Sequence, residues 1–348
     1  MAHTSHEHSV DGTHLSSGGV ADAAASLCDA MEAIDLDGFY SLVEVVRPWS
    51  KHNPRLTGEF ARPVAIRRYL ERELGALLER GALIEVRPSR PASALDDPTL
   101  FAALDESEWD LRAKKLFLFA PERMALSIDR LGHYTGTPAA LLQRYVIFTN
   151  YSMHVDAFRE RFPDAVGPDR EGVQMPAWHH VRPGGDGVSI VNIGVGPSNA
   201  KTITDHVAVL RPDAMLMIGH CGGLRNHQAI GDFVLATGYV RADRILDEAL
   251  PTFVPVIPNH TLNSLLLAAL ARREVGHRIG PVYTTGNRNW ELNQRVALEE
   301  MRVSRSIAVD MESATIAANG FRYRIPNATL LCVSDKPLHG SPKLSDGA

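Results

Sequence analysis

Six short apolar segments, each followed by a loop and then by a helical pattern, dominate the second half of the chain. They span 189–193, 214–218, 233–237, 282–285, 307–309 and 329–333. Continuous apolar strands separated by helices predict a mainly parallel sheet that is covered on both faces. Ligands of such sheets bind beyond the carboxyl ends of the strands. The candidate functional loops are therefore GVGPSNAKT, GHCGGL, TTGNRNW, DMESA and SDKPLHG.

The first half of the chain follows a different pattern. Its 64–80 segment has apolar residues at helical spacing with Arg and Glu four apart, which predicts an amphipathic helix. Short apolar runs at 115–120 and 145–149 predict buried strands. A stretch rich in Pro, Gly, Asp and Arg follows, which indicates a linker.

A length of 348 residues suggests two domains. We predict a smaller α+β domain over 20–165, a linker over 166–187 and an α/β domain over 188–348. Residues 1–19 are polar and carry four histidines, His3, His6, His8 and His14. This composition predicts a disordered tail, with metal binding as the less favoured alternative.

Composition excludes several classes of protein. The chain is 45% hydrophobic and 22% charged, which is ordinary for a globular protein. A net charge of −5 without a basic stripe argues against a nucleic-acid partner. We also expect no signal peptide, and no membrane partner because every apolar run is far below the ~18–20 residues of a spanning helix. Three cysteines, an odd and sparse count, fit a reducing compartment and predict a cytoplasmic protein.

The loop GVGPSNAKT opens a helix and can present backbone N–H groups to an anion. It fits neither standard phosphate motif. Asn199 stands where a dinucleotide fingerprint needs Gly or Ala, and Ala200 stands where a P-loop needs Gly before Lys201. A plain strand-to-helix turn is the alternative.

The glycines of GHCGGL allow a ligand to approach the backbone closely. Cys221 is predicted to be a small buried residue without chemistry. His220 and Cys221 do not form a zinc site, because no second pair stands at ligand spacing. We therefore expect no metal.

Two further loops carry carboxylates. Glu312, two residues after Asp310, can accept hydrogen bonds from both hydroxyls of a vicinal diol; the alternative is an acid that stabilises a helix N-terminus. Asp335 follows an apolar strand and can act as a general acid, or simply form a turn before Lys-Pro.

A polar and aromatic cluster, Arg288, Asn289 and Trp290, could bind a flat base by stacking and hydrogen bonding. Core packing is the alternative for Trp290.

Taken together, these motifs resemble the AMP nucleosidase family, a branch of the nucleoside phosphorylase superfamily. The resemblance covers roughly 185–340 and rests on GVGPSNAKTITDHVAVLRPDAMLMIGHCGGL, VYTTGNRNWELN, VDMESATIAANG and LLCVSDKPLHG. It extends more thinly to HYTGT and IFTNY.

The resemblance implies hydrolysis of AMP to adenine and ribose 5-phosphate through an oxocarbenium-like sugar. It also implies an α/β catalytic domain with a central mixed sheet, preceded by a smaller α+β regulatory domain. Relatives assemble as hexamers and are activated by ATP, with Mg²⁺, while the chemistry itself needs no cofactor.

Roles carry over position by position. Asp335 matches the acid that protonates purine N7, and Met311 and Glu312 match the pair that holds the ribose. Asn289 and Trp290 are base-binding candidates. The phosphate-binding candidates, chosen from position only, are Ser198, Asn199, Lys201 and Arg225, with HYTGT as a further one. The remaining predicted pocket residues are Gly196, His220, Cys221 and Gly222.

Two departures from the superfamily pattern matter. Asn199, Met217 and His220 replace two arginines and a serine of phosphorolytic relatives, which favours water as the nucleophile. The family also continues past DKPLHG into a long terminal helix, which we expect this chain to lack. The alternatives are a nucleosidase or phosphorylase for another purine nucleoside, or a purine-nucleotide-binding protein with impaired catalysis.

Overall fold

A computed structural model describes residues 7–50, 54–95 and 116–339. The strands of this part of the chain are β1 (His8–Asp11), β2 (Phe39–Val46), β3 (Arg55–Phe60), β4 (Leu83–Pro91), β5 (Tyr145–Thr149), β6 (Ala177–His180), β7 (Val188–Asn192), β8 (Ala214–Gly223), β9 (Phe233–Ala242), β10 (His277–Thr285), β11 (Ala308–Asp310) and β12 (Asn327–Asp335). The α-helices are α1 (Ser17–Leu36), α2 (Pro63–Leu78), α3 (Pro121–Thr135), α4 (Ser152–Arg161), α5 (Pro197–Val207), α6 (His260–Arg272), α7 (Gln294–Val303) and α8 (Ser313–Arg322).

The chain divides into two compact units. The smaller comprises 1–132 and 209–211, and the larger comprises 133–208 and 212–348. The smaller unit contains a four-stranded antiparallel sheet in the order β1-β4-β2-β3. Helices α1 and α2 pack together, and α1 also packs on β2 and β4. This is the α+β domain that the sequence predicts.

Helix α2 shows why the 64–80 pattern is helical. Ile66, Leu70, Leu74 and Leu78 recur at spacing four and are buried. On the polar side the Arg67 guanidinium donates to Glu71 four residues on, as well as to Asp29 and Glu32 of α1, each at 2.8 Å. The predicted helix and its i,i+4 ion pair are confirmed.

Two predictions in the smaller unit are wrong. Residues 8–14 of the predicted disordered tail are ordered, because β1 pairs with β4 and a 3-10 turn follows. Residues 116–119 do not form a strand. Phe117 instead packs its ring against Phe60 and Tyr69, so an apolar run that predicted a strand fills the core as a loop. Residues 1–6 lie outside the described residues.

The larger unit is built on an eight-stranded sheet in the order β11-β10-β9-β12-β8-β5-β7-β6. Five of its strand pairs are parallel, including β12 with β8 and β5 with both β8 and β7. Three pairs are antiparallel: β12 with β9, β6 with β7, and β11 with β8. The last of these pairings joins β11 to β8 as well as to β10. The sheet is therefore mixed, and all six predicted strands lie in it.

The domain boundary differs from the prediction at 166–187. Strand β5, N-terminal to that segment, pairs with β7 and β8, and β6 lies within the predicted linker and pairs with β7. Since these backbone pairings belong to the larger sheet, the division falls between Gly132 and His133. The predicted lack of a terminal helix concerns residues 340–348, which lie outside the described residues.

Helix α6 of the larger unit is apolar but largely uncovered. Only Leu270 of its residues is buried, while Leu265 is 62% exposed. Phe253 and Ile257, in the segment before this helix, are also exposed. No helix in the ranges that the structure describes is both long and apolar enough to cross a membrane.

Candidate active site

A cavity of about 550 Å³ opens where strands β5, β7, β8, β10, β11 and β12 end. All of its lining residues belong to the larger unit. The sequence-predicted residues that line it are Asp335, Glu312, Met311, Arg288, Asn289, Trp290, His220, Cys221 and Gly222. Each of the five strand-end loops thus contributes at least one residue to the lining of one cavity.

Glu312 is held from both sides. Its Oε1 accepts from the Gly196 N–H at 2.6 Å, and its Oε2 accepts from the Asn150 Nδ2–H at 3.1 Å. Although Glu312 is the N-cap residue of α8, its side chain makes no capping bond to that helix. The side chain therefore does not cap the helix by a hydrogen bond, and Glu312 lines the cavity.

Asp310 supports the turn that carries Met311 and Glu312. Its Oδ1 accepts from Thr284 Oγ1 at 2.6 Å, and its Oδ2 accepts from the Ser313 N–H at 2.9 Å and from the Ser313 hydroxyl. Burial raises the pKa of the Asp310 carboxyl. Burial, and then the Asp310 charge, also raise the pKa of Glu312. The two buried carboxyls therefore resist being ionised together.

Asp335 is the last residue of β12, and a bulge aims it. Val333 pairs with Cys221 and Asp335 pairs with Gly222, so Ser334 is an extra residue in the ladder. Asp335 is half-buried, and its Oδ1 accepts from the Ser334 hydroxyl at 2.6 Å. Because the carboxyl lines the cavity, the turn-forming alternative does not account for its position.

A cluster of three rings includes two lining residues, Tyr151 and His220. The His220 ring lies 4.2 Å from the Tyr151 ring and 5.5 Å from the His154 ring. His154 Nδ1 is 2.7 Å from Thr149 Oγ1. Burial, and then the nearby His220, lower the pKa of His154, which keeps this imidazole neutral at pH 7.

Cys221 and Gly222 have structural roles. The Cys221 thiol is buried and donates weakly to the Cys332 carbonyl at 3.6 Å. Burial raises its pKa well above the usual range, so the reactive thiolate is disfavoured. A Cβ on Gly222 would come within 3.0 Å of Val309, so a side chain there would crowd the cavity wall.

Trp290 serves both as core and as lining. It is 5% exposed and packs with Leu224, Tyr283, Met301 and Val309, yet it borders the cavity. Asn289 and Arg288, its neighbours in the same loop, are exposed and also line the cavity. Core packing is therefore confirmed for Trp290, and base binding stays a prediction.

The phosphate-binding candidates chosen from position are not brought to the cavity. Ser198, Asn199, Lys201 and Arg225 are absent from its lining. Lys201 Nζ instead donates to Asp205 Oδ2 at 2.6 Å, one helical turn further along α5. Gly196 contributes through its backbone, as the donor to Glu312.

HYTGT is part of a buried polar chain. Thr137 Oγ1 lies 2.8 Å from His179 Nε2, and His179 Nδ1 lies 2.8 Å from Ser189 Oγ. Burial lowers the pKa of His179 to about 4, so the ring is neutral. The motif ties the start of the larger unit to β6 and β7 and does not line the cavity.

Sequence analysis missed Asn150 and Tyr151, which line the cavity directly after β5. The rule that strand ends carry ligands would have found them. β5 lies within the predicted first domain, 20–165, and therefore outside the predicted parallel sheet to which that rule refers. In the described residues, no group of three or more His, Cys, Asp or Glu is placed to hold a metal ion.

The fold and the cavity define a class of protein. The family model of the phosphorylase superfamily matches residues 171–346, half of the chain, and the chain belongs to this superfamily.

Within it, the chain is 46% identical over 264 residues to AMP nucleosidase from Escherichia coli strain K12, in an alignment that covers 65% of the chain and 54% of that relative. The chain thus spans about half the length of the curated relatives of this kind that it matches. It is 22% identical to uridine phosphorylase from Treponema pallidum, over 62% of this chain and 86% of that one.

Solved structures agree on the fold. The crystal structure of AMP nucleosidase from Bacteroides thetaiotaomicron matches with a TM-score of 0.55 and 30% identity, over 62% of this chain and 88% of that one. A uridine phosphorylase from Vibrio fischeri matches with a TM-score of 0.52 at 16% identity, over 57% of this chain and 81% of that one, which is a likeness of fold alone. The predicted phosphorylase-like α/β fold with a mixed sheet is confirmed.

Proposed function

We propose that this chain hydrolyses the N-glycosidic bond of AMP to give adenine and ribose 5-phosphate. One observation carries the proposal: a single cavity is lined by Asp335, the Met311–Glu312 pair and Trp290. These residues supply an acid, a diol-binding carboxyl and an aromatic face. The similarity to two AMP nucleosidases supports the choice of substrate.

The base is assigned to the side of the cavity where Trp290, Asn289 and Asp335 lie. An aromatic face can stack on a purine, and an amide can bond its edge. Adenine leaves poorly as an anion, so a proton delivered to N7 by Asp335 lowers the barrier to C1′–N9 cleavage. The hydroxyl of Ser334 orients the Asp335 carboxyl for that transfer.

The ribose is assigned to Met311 and Glu312. The Gly196 N–H and the Asn150 amide fix the Glu312 carboxyl and leave lone pairs for the 2′- and 3′-hydroxyls. As C1′ gains positive charge, the hydroxyl contacts to Glu312 strengthen. Contacts that are stronger in the transition state than in the ground state accelerate the reaction.

Water, rather than inorganic phosphate, is the proposed nucleophile. Among the residues that the structure describes, Arg288 is the only arginine or lysine in the lining, and Met217 is buried away from it. Binding a free phosphate besides the 5′-phosphate of AMP needs further cationic donors. We assign Arg288 to the 5′-phosphate, in place of Ser198, Asn199 and Lys201 of α5 and of Arg225 after β8.

The test is adenine release from AMP and from adenosine, followed by chromatography with and without inorganic phosphate. We expect adenine and ribose 5-phosphate from AMP, no dependence on phosphate, and little cleavage of adenosine. Equal cleavage of adenosine would contradict the assigned substrate. A sugar phosphorylated at C1 would contradict hydrolysis, and AMP binding without cleavage would favour the purine-nucleotide-binding alternative.

The proposal extends to assembly, regulation and location. A homo-oligomer, a hexamer by resemblance, is supported by the uncovered apolar side chains of α6. ATP with Mg²⁺ as an activator rests on the resemblance alone. A cytoplasmic location is supported by Cys28, Cys221 and Cys332, which are all unpaired.

A further inference from the structure

Hydrolysis of a glycosidic bond needs two groups on opposite sides of the sugar, an acid at the leaving group and a holder for the attacking water. Asp335 ends β12, and the strand order β12-β8-β5 places the end of β5 two strands away. At about 4.8 Å per strand, this separation is about 10 Å, enough for a ribose between them. The residue that follows β5, and lines the cavity, is Asn150.

The Asn150 amide is held in one orientation. Its Nδ2 donates to Glu312 Oε2 at 3.1 Å, so the nitrogen faces that carboxyl. The amide oxygen Oδ1 therefore points away from Glu312, toward β8. A Cβ built on Gly219 of β8 would lie 3.3 Å from Oδ1, so the glycine keeps space open beside this atom.

Asn150 Oδ1 has no donor. It is buried, and no described residue gives it a hydrogen bond. A buried acceptor without a partner is unfavourable, and in native proteins such an atom most often bonds a water or a ligand. Because Asn150 lines the cavity, its unsatisfied acceptor is suited to hold one small O–H donor.

We propose that Asn150 Oδ1 accepts a hydrogen bond from the attacking water and orients it toward C1′ on the face opposite Asp335. This assignment rests on the proposed hydrolysis of AMP. The water oxygen bonds to C1′ while the C1′–N9 bond breaks, and its electron pair passes to the purine. The Asp335 proton goes to N7, and the proton lost by the water passes to solvent, from which Asp335 is reprotonated.

Asn150 also holds Glu312 through its Nδ2. If this were its only role, replacing Asn150 would have no further effect once Glu312 had been replaced. A double-mutant cycle separates the two. The variants are Asn150→Ala, Glu312→Gln and the pair together, each checked for folding by thermal unfolding. The measurements are kcat at saturating AMP and the dissociation constant for AMP by calorimetry.

We expect Asn150→Ala to lower kcat roughly 10–100-fold, with a smaller change in AMP affinity. The loss should persist at tenfold or more in the Glu312→Gln background. If Asn150→Ala has no further effect once Glu312 is replaced, Asn150 acts only by holding Glu312 and the water assignment is wrong.

A second readout covers the case in which Asn150→Ala does not fold. Cleavage in aqueous methanol yields methyl riboside 5-phosphate beside ribose 5-phosphate, and their ratio reports how the nucleophile is held. In Asn150→Ser, whose shorter side chain does not reach the same point, we expect the ratio to change several-fold. We expect the Glu312→Gln ratio to match the parent, and an unchanged ratio in Asn150→Ser would overturn the assignment.

Measurements on the parent chain distinguish a failure of this inference from a failure of the proposed function on which it rests. A parent that does not release adenine from AMP overturns both. A parent that does so, with Asn150→Ala at the parent kcat, overturns the water assignment alone.

Discussion

Asp335 and Glu312 are carboxyl groups of one cavity in different surroundings. Asp335 is half-buried beside a serine hydroxyl, whereas Glu312 is almost fully buried near a second carboxyl. Pairs of titratable groups in unlike environments are how active sites divide acid and binding roles. The proposed roles follow this difference: Asp335, which is nearer to solvent, is assigned the proton transfer, and Glu312, which two hydrogen bonds hold in place, is assigned the ribose hydroxyls.

Replacing Asp335 by Asn keeps the shape but removes the proton. We expect kcat for adenine release to fall roughly 10²–10⁴-fold, as for the loss of a general acid, with AMP affinity nearly unchanged. The matched control is Glu299→Gln, an exposed carboxyl on α7 paired with Arg302. Activity of Asp335→Asn within tenfold of the parent would exclude the acid role.

Glu312→Gln tests the cost of the buried charge through pH. The pKa of Glu312 is raised in the folded chain, so the folded state binds more protons than the unfolded state once the pH passes the ordinary value of about 4.3. The parent therefore loses stability as pH rises from there toward the raised value. Glu312→Gln should be progressively more stable relative to the parent over this range, measured by thermal unfolding. A difference in stability between the two proteins that does not change with pH would argue against a raised pKa of Glu312.

Arg288→Ala removes the cationic side chain assigned to the 5′-phosphate. A hydrogen bond to a charged group contributes about 1.5–3 kcal/mol, so we expect KM for AMP to rise roughly 10–100-fold. Discrimination against adenosine should fall by a similar factor. Arg295→Ala, on the exposed side of α7, is the control. If KM stays at the parent value, another residue holds the phosphate.

At the scale of elements, the turn between β7 and α5 shapes the ribose site through its backbone. Gly196 has φ +109° and ψ 156°, a conformation nearly confined to glycine, and its N–H donates to Glu312. No side chain of this turn lines the cavity except that of Val195. Gly196 thus contributes to the site by directing its backbone N–H toward the Glu312 carboxyl.

Gly196→Ala should cost about 1–3 kcal/mol of unfolding free energy and should also raise KM for AMP, because the donor to Glu312 moves. Gly184→Ala is the matched variant: Gly184 also has a positive φ, +66°, and open space around its Cα. It should lose stability without a change in KM. An equal KM for both variants would contradict the role of the turn.

Local pattern predicted the strands of the larger sheet and most of the cavity, because apolar runs and strand ends are visible in one segment at a time. Two of the remaining features depended on contacts distant in sequence, and one depended on a contact within a helix. The pairing of β5 with β7 and β8 places the domain boundary before β5. It also brings Asn150, which follows β5, to the cavity, and neither result is visible in the local sequence. The ion pair with Asp205 removed Lys201 from the phosphate candidates, although a Lys and an Asp four apart on a helix already indicate it. The core contacts of Phe117 overrode a strand-like run.

At the scale of the whole molecule, the larger unit carries an apolar face with nothing described upon it. Leu265 of α6 and Phe253 before it are 62% and 84% exposed. Apolar side chains left open in this way commonly mark an interface.

Leu265→Glu should therefore weaken self-association. We expect light scattering to give the parent a mass that is a multiple of 38.1 kDa, and the variant a smaller one. Val64→Glu, at an exposed position of α2 in the smaller unit, is the control. A parent that is monomeric at micromolar concentration would contradict the proposed assembly.

The pairing of β11 with β8 as well as with β10 makes a closed hoop of β8, β12, β9, β10 and β11. In such a closed ring of strands, no strand can shift along its neighbours without moving the other strands as well. The carboxyls of Asp335 and Glu312 are anchored on this frame, so their spacing does not depend on a ligand to set it.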